Sequence, residues 1–402
     1  MRIKISMIRV LLVPSSDYLG HPFPQRYNQL FERVHDGKNF EVHVVRFRIF
    51  DGSSMKTNLI VHELDDTKVK PAAPYYLLNV VNHALSIRRI IRQESIDLVV
   101  FSNLLSPFAC TLMEELTNIR VPIIFDLPDY YPTSATGYIF NVKSIQGKLL
   151  TEIFDYMLRY IIRRATVVTA ASHALVKYSR RAGARSVVYV PNGISEHFLK
   201  LHDGKGLREK LGFNEDDIVI GYIGSIEFWL DMKSLIQGVA LARRKNPYMK
   251  LLLFGGGLHT HYSKKVDGWI RQERLEEHSV QLGFVPYEEV PKYIAGFDVG
   301  TIPFDQSNST AYYAAPNKMW EYLSQMKPVI STPIPEALSN KDFVFMSSTP
   351  RDYAQKLQLV AKGDGEVLWK VKRGHERALS RTWRNSAIRL SSILYELTAK
   401  DD

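Results

Sequence analysis

Lys318 and Glu321 stand three residues apart in the stretch Pro316-Asn-Lys-Met-Trp-Glu-Tyr-Leu323, a base and an acid close together near the start of a helical pattern. Pro316 suits the first turn of a helix and Asn317 its cap. Met319 and Leu323 share one face, with Trp320 and Tyr322 beside them. Lys327-Pro328 stops the helix, and Val329-Ile330 enters a buried strand. A helix that begins in an irregular loop presents unpaired amides and a partial positive charge, which attract phosphate. An ordinary helix–strand unit has the same pattern, so the segments that flank it decide the reading.

Those segments alternate apolar runs with helical periodicity. Strands are predicted at residues 10–13, 40–47, 96–101, 121–125, 165–169 and 187–190, with helices at 25–34, 77–93, 105–116 and 149–164 between them. Buried apolar strands alternating with helices predict a parallel sheet in an α/β domain. Residues 51–74 are polar, interrupted by proline and unassigned. After the turn signal Pro191-Asn-Gly193 a second series begins. It has strands at 218–223, 250–254, 279–282, 299–302 and 328–330, and a helix at 232–246. A final helix is predicted over 374–397. The expected architecture is two Rossmann-like α/β domains facing across a cleft. The division is an N-terminal domain over 1–190, a C-terminal domain over 207–373, and a terminal helix over 374–402 that returns to the first domain. Ligands of such sheets bind at the carboxyl ends of the strands.

Composition narrows the function classes. The chain has 402 residues, 45% of them hydrophobic, enough for two cores. A single cysteine, Cys110, and no His/Cys cluster argue against an oxidised exterior and a zinc site. The opening residues run straight into an apolar strand rather than a targeting sequence. No run of eighteen apolar residues is present to span a membrane. The chain reads as cytoplasmic. Its net charge of +10 is uneven: residues 1–190 hold 24 Lys and Arg against 16 Asp and Glu, whereas residues 191–402 hold 28 against 26. The basic first half suggests an anionic partner.

Five segments then carry a resemblance. Tyr189-Val-Pro-Asn-Gly-Ile194 ahead of Phe198, Ile220-Gly-Tyr-Ile-Gly224, Leu252-Leu-Phe-Gly-Gly-Gly257, Leu282-Gly-Phe-Val285 and Pro316–Thr332 follow one another in the order and spacing of family 4 retaining glycosyltransferases of the GT-B fold. Ser172-His-Ala-Leu precedes them in the same pattern. The chain resembles that family over nearly all of its second half, and more weakly over the first. The resemblance implies transfer of a sugar from a nucleoside-diphosphate donor, UDP- or GDP-linked, with retention of anomeric configuration and no separate cofactor.

It also implies roles. Glu321 matches the second glutamate of the family's pair, which accepts hydrogen bonds from the ribose hydroxyls; a carboxylate takes both at once. Lys318 and the amides around Pro316, Asn317 and Met319 are expected to hold the diphosphate. Gly224 and Ser225 let backbone approach a phosphate, and Phe284 and Val285 lie where the family packs the base. In the first half, Gly20 and His21 follow the first strand at the family's Gly-rich loop. Asp126 and Asp129 follow the fourth, where relatives carry a catalytic-site acid or histidine. Asp129 is the better positional match, and Asp126 alternatively caps a turn. The leaving phosphate can itself accept the acceptor's proton, so no dedicated nucleophile is required.

Two departures stand out. The first glutamate of the pair is replaced by Tyr313, and the family's arginine and lysine after the Gly224 strand are Ser225 and Leu230, with Lys233 out of register. Lys318, helix amides or an N-terminal arginine such as Arg26 must then neutralise the diphosphate. No Asp-x-Asp motif sits at a strand end, and Asp65-Asp66 and Asp216-Asp217 lie in polar segments, so metal-independent chemistry is expected. Residues 149–164 place Leu150, Phe154, Met157 and Ile161 on one face among Arg159, Arg163 and Arg164. Residues 85–92 interleave Ile87, Ile90 and Ile91 with Arg88, Arg89 and Arg92. Either helix can pack on a sheet or lie on an anionic membrane at the inner face of the cell membrane, which would fit a glycan or lipid-linked acceptor. Competing readings are a catalytically silent nucleotide-binding partner, a nucleotide-sugar epimerase, and a dinucleotide oxidoreductase. The last lacks its Gly-x-Gly-x-x-Gly fingerprint. No basic and aromatic motif supports nucleic acid.

Overall fold

The computed structural model describes residues 7–50, 55–70, 72–110, 121–257 and 261–399. The chain forms two α/β units, one from Met1–Pro191 with Trp383–Asp402, the other from Asn192–Thr382. In the first, β1 (Ile8–Val13), β2 (Phe40–Arg46), β3 (Ile60–Glu63), β4 (Leu98–Phe101), β5 (Ile123–Leu127), β6 (Val167–Ala170) and β7 (Val187–Tyr189) form one parallel sheet in the order β3-β2-β1-β4-β5-β6-β7. The order reverses direction between β1 and β4, the point where open α/β sheets leave a crevice for ligands. β3 falls in the polar stretch that the sequence pattern leaves unassigned. It is a half-exposed edge strand, and so has no continuous apolar run to betray it.

Helix α1 (Arg26–Val34) follows β1, and Asn28 Oδ1 accepts from the Gln25 amide at its start, 2.8 Å away. The helix expected over 77–93 is two helices, Ala72–Leu78 and α2 (Val80–Gln93). Asn79 separates them. Its buried side chain donates to the Tyr75 and Thr67 carbonyls and accepts from the Thr67 amide, satisfying groups that helix bonds would otherwise take. Of the helix expected over 105–116, residues 105–110 are helical and the remainder lies outside the described residues. α3 (Tyr131–Gly137) follows β5. α4 (Ile145–Arg164) opens four residues before its expected start, because Ser144 Oγ caps the Gly147 amide.

The apolar faces named for membrane contact pack inward. Phe154 and Ile161 of α4, and Ile87, Ile90 and Ile91 of α2, are buried in the unit. The apolar side chains that α4 leaves in solvent are Ile145, Leu149, Ile153 and Tyr156, a different stripe. α2 leaves Val81 and Leu85 exposed.

The second unit holds β8 (Ile218–Ile223), β9 (Met249–Phe254), β10 (Ser279–Leu282), β11 (Val299–Ile302), β12 (Val329–Ser331) and β13 (Phe345–Met346), parallel throughout in the order β10-β9-β8-β11-β12-β13. Its reversal lies between β8 and β11. α5 (Met232–Arg243), capped by Asp231, and α6 (Asn317–Ser324) pack their apolar stripes into its core.

The chain's end departs from the expected single helix. α7 (Gly365–Leu379) belongs to the second unit, and α8 (Trp383–Thr398) to the first. The break at residues 380–382 follows from Arg381. Its guanidinium stacks on Trp320, pairs with Glu336 at 3.3 Å and donates to the Asn192 carbonyl. Trp383, Leu390 and Leu394 then bury fully or nearly so in the core around β1, β2 and β4.

Candidate active site

In the second unit the reversal point gathers several predicted residues. β8 runs into Gly224, whose φ of +125° would strain any side chain, and a Cβ there would press on Lys318 Nζ at 3.1 Å. The next strand ends in Gly255, also in the left-handed region, where a Cβ would strike the Gly224 carbonyl. Gly224 N donates to Phe254 O and Ile226 N to Gly256 O, so the two strand ends are laced together. Over them lies Lys318. Its ammonium donates to Tyr222 Oη at 3.1 Å and sits 4.5 Å from that ring's centroid, with Phe304 after β11 at 5.7 Å. Half-buried among apolar groups, it is pushed down to about 8, with Glu321 pulling back.

Glu321 lies one helical turn further on and is buried. Burial pushes its carboxyl up to about 7, opposed by Lys318 and by the Tyr287 hydroxyl, which donates to Oε1 at 3.2 Å. The helix start differs from expectation. Pro316 is the cap and Asn317 the first helical residue, because Pro316 holds an extended ψ of 112°. No side chain caps this end, and Asn317 Oδ1 is buried without a hydrogen bond. Asn192 of the Pro-Asn-Gly turn donates to the Ala315 carbonyl and so fixes the preceding loop. Ser225 offers its carbonyl to Tyr222 Oη at 2.7 Å. Phe284 is exposed beside Gly256, while Val285 packs on the core. Leu230, at the position of the family's lysine, is buried, and Lys233 points to solvent.

Two tyrosines that the sequence reading passed over complete this site. Tyr222 sits inside an apolar strand run and Tyr287 in a short polar turn, so each reads as core or loop until its hydroxyl is placed.

In the first unit the structure corrects three expectations. Arg26 does not stand free for a phosphate. Its guanidinium grips Asp126 through two bonds of 3.0 Å and donates to the Val190 carbonyl, while Thr169 Oγ1 takes Asp126 Oδ1 at 2.7 Å. The pair is buried and mutually neutralised, so Asp126 neither caps a turn nor reaches an acceptor. Nor does Gly20 offer its amide outward: it donates to Asp17 Oδ1 at 2.9 Å, as Leu19 N does at 3.1 Å. Asp17, fully buried, organises this loop, a role invisible in its sequence context. His21 is buried too, with Nδ1 2.8 Å from the Phe23 carbonyl and its ring edge-on to Phe23 and Phe50. Asp129 alone of the predicted group is exposed.

Among the described residues no group of three or more His, Cys, Asp or Glu side chains converges as metal ligands. No described helix is long and apolar enough to cross a membrane.

A doubly reversed pair of parallel sheets, with a lysine and a glutamate over the glycine-rich strand ends of the second, defines a class. Residues 24–193 match the sequence model of the glycosyl transferase 4-like domain, and residues 217–362 that of glycosyl transferases group 1. The chain belongs to the family 4-type glycosyltransferases of the GT-B fold. It is 26% identical over 269 residues to the protein named as a teichuronic acid biosynthesis glycosyltransferase, TuaH, of Bacillus subtilis (strain 168). That match covers 65% of this chain and 63% of TuaH, so the chain spans somewhat under two thirds of its curated relative. In fold it is similar to sucrose-phosphate synthase of Thermosynechococcus elongatus, with a TM-score of 0.78 at 14% identity over 98% of this chain and 99% of that one. HepE of Anabaena, solved in complex with UDP and glucose, gives 0.74 at 16% identity over 97% and 100%.

Proposed function

We propose that this protein transfers a sugar from a nucleoside-diphosphate donor to a glycan or lipid-linked acceptor, with retention and without a metal ion. The observation that carries the reading is the Lys318–Glu321 pair at the amino end of α6, with Lys318 lying over Gly224 at the sheet reversal. Lys318 and the α6 amides take the diphosphate, Glu321 accepts the two ribose hydroxyls, and Phe284 flanks the base. The bond from the anomeric carbon to the leaving phosphate breaks as the acceptor oxygen bonds the same face. The acceptor's proton passes to that phosphate, and Asp129 orients the attacking hydroxyl. Lysine charge and helix amides stand in for a metal ion. The complex of HepE with UDP and glucose supports a uridine donor, with a guanosine donor as the alternative.

The work site we propose is the cytoplasmic face of the cell membrane, supported by the exposed stripe Ile145, Leu149, Ile153 and Tyr156 beside Lys143 and Lys148.

A thermal-shift panel of UDP, GDP, ADP and their sugar conjugates, run in EDTA on wild type and Glu321→Ala, tests the donor site. One nucleotide at 100 times its Kd should stabilise wild type by about 2.7 kcal/mol and leave the variant unmoved. A flat panel would bring forward a catalytically silent partner.

A further inference from the structure

Tyr222 sits near the carboxyl end of β8 with its side chain fully buried, and its hydroxyl meets two different groups. Oη donates to the Ser225 carbonyl at 2.7 Å, which spends the one proton a phenol has. The lone pairs left on Oη take the Lys318 ammonium, which donates to them at 3.1 Å and lies 4.5 Å from the ring centroid. The Phe304 ring is 5.7 Å from the same ammonium, and Gly224, with no side chain, leaves it room.

A lysine ammonium rides on a flexible four-carbon stem, and fixing it in one place costs conformational entropy. Here the ordering is done before any ligand arrives. Among the described residues Tyr222 Oη is the hydrogen-bond acceptor of Lys318, so two of the three ammonium protons stay unspent. The same phenol occupies a carbonyl. Ser225 O is bound by Tyr222 while the next amide, Ile226 N, donates to Gly256 O at 2.8 Å. Both sides of that peptide are committed, and its carbonyl is given to a phenol instead of being left to repel an anion.

Helix α6 does not depend on Tyr222 for its place. Tyr322 Oη accepts from the Ile223 amide at 3.0 Å, and Met319 and Leu323 are buried in the core. Removing the Tyr222 hydroxyl therefore frees the Lys318 side chain and the Ser225 carbonyl, and leaves the helix where it is. With Ser225 and Leu230 standing where the family carries a basic pair, the placement of this one ammonium matters all the more.

We propose that Tyr222 is a positioning residue of the phosphate site: it fixes the Lys318 ammonium over Gly224, ready for a nucleoside diphosphate, and does not itself touch the ligand. The proposal rests on reading the Lys318–Glu321 pair as the donor site.

Two measurements on the full chain at pH 7 test it. The first compares UDP, by titration calorimetry in EDTA, with uridine, by NMR titration, and runs GDP and guanosine alongside. Tyr222→Phe keeps the ring and loses Oη. It should weaken the diphosphate roughly three- to tenfold and leave the nucleoside, which carries no phosphate, within about twofold. In a Lys318→Met background the same change should cost the diphosphate less than about twofold, because the group it positions is gone. Equal losses for diphosphate and nucleoside, or the same loss with and without Lys318, would mark Tyr222 as a core residue only and overturn the proposal. The second measurement uses ligand-free protein labelled with 13C at the lysine ε-carbons. The Lys318 signal, identified by its absence in Lys318→Met, should be shifted by the Tyr222 ring and should move to the position of exposed lysines in Tyr222→Leu. A Lys318 signal that already coincides with exposed lysines in wild type would overturn the proposal, whether or not a nucleotide binds and whether or not either Tyr222 variant folds. A shifted Lys318 signal in a protein that binds no nucleotide would keep the positioning role and sink the donor site.

Discussion

Glu321 works against the stability of the unit that holds it. Its folded pKa, about 7, stands above the ordinary 4.5, so the native state binds this proton more tightly than the unfolded chain does. Stability is therefore lost as pH rises from about 4.5 to about 7, and the whole loss persists above that. Glu321→Gln removes the buried charge and keeps an acceptor for Tyr287. In ligand-free protein at pH 8 it should gain on the order of 1–2 kcal/mol, with no gain at pH 4.5, by chemical denaturation at both pH values. The same variant should lose its nucleotide-induced shift, which would mark Glu321 as a group kept for binding. Asp129 carries a different expectation. Asp129→Asn should lower kcat by two orders of magnitude or more while donor affinity stays within about twofold. Unchanged turnover would remove Asp129 from the chemistry.

At the scale of elements, α4 has two apolar faces, one packed and one in water. Ile145→Ser, Leu149→Ser and Ile153→Ser together touch only the exposed stripe, so the fold should stand. Sedimentation with anionic vesicles at low salt should then fall at least tenfold, given roughly 1.5–3 kcal/mol for each large side chain taken out of water. Wild type that stays in the supernatant would end the membrane proposal. The sequence carried α4 but not which face would be free, since both stripes have helical spacing and only the packed sheet selects one. Buried parallel strands were readable because both their faces are covered, leaving unbroken runs such as Ile218–Ile223. β3, at a wet edge, was not. Lys318 and Glu321 were readable together because one helix turn fixes their spacing. The Arg26–Asp126 pair spans a hundred residues, and nothing local in either segment signals it. Asn79 broke one expected helix through side-chain bonds to the nearby Tyr75 carbonyl and to Thr67, and Arg381 another through bonds to groups far along the chain, neither of which periodicity registers.

For the molecule as a whole, the first unit is built from both ends of the sequence. α8 contributes Trp383, Ala387, Leu390, Ile393 and Leu394 to its core, and Ser386 and Arg389 bond the carbonyls of Pro191 and Tyr189. Removing residues 383–402 should expose that core. Hydrogen exchange of β1 and β2 amides should rise by orders of magnitude while β8 and β11 keep their protection, because unit 2 ends at Thr382. Uniform loss across both sheets would contradict a division at that residue. The arrangement also sets an order of assembly during translation. The ribosome delivers β1 through β7 first, then all of the second unit, and only afterwards the helix that closes the first core. At roughly 5–20 residues per second, the first unit waits some tens of seconds with apolar surface around β1 and α1 uncovered. The second, contiguous unit needs no such wait, so the half of the chain that is made first is the half that finishes last, and a chaperone that holds nascent chains has its natural substrate there.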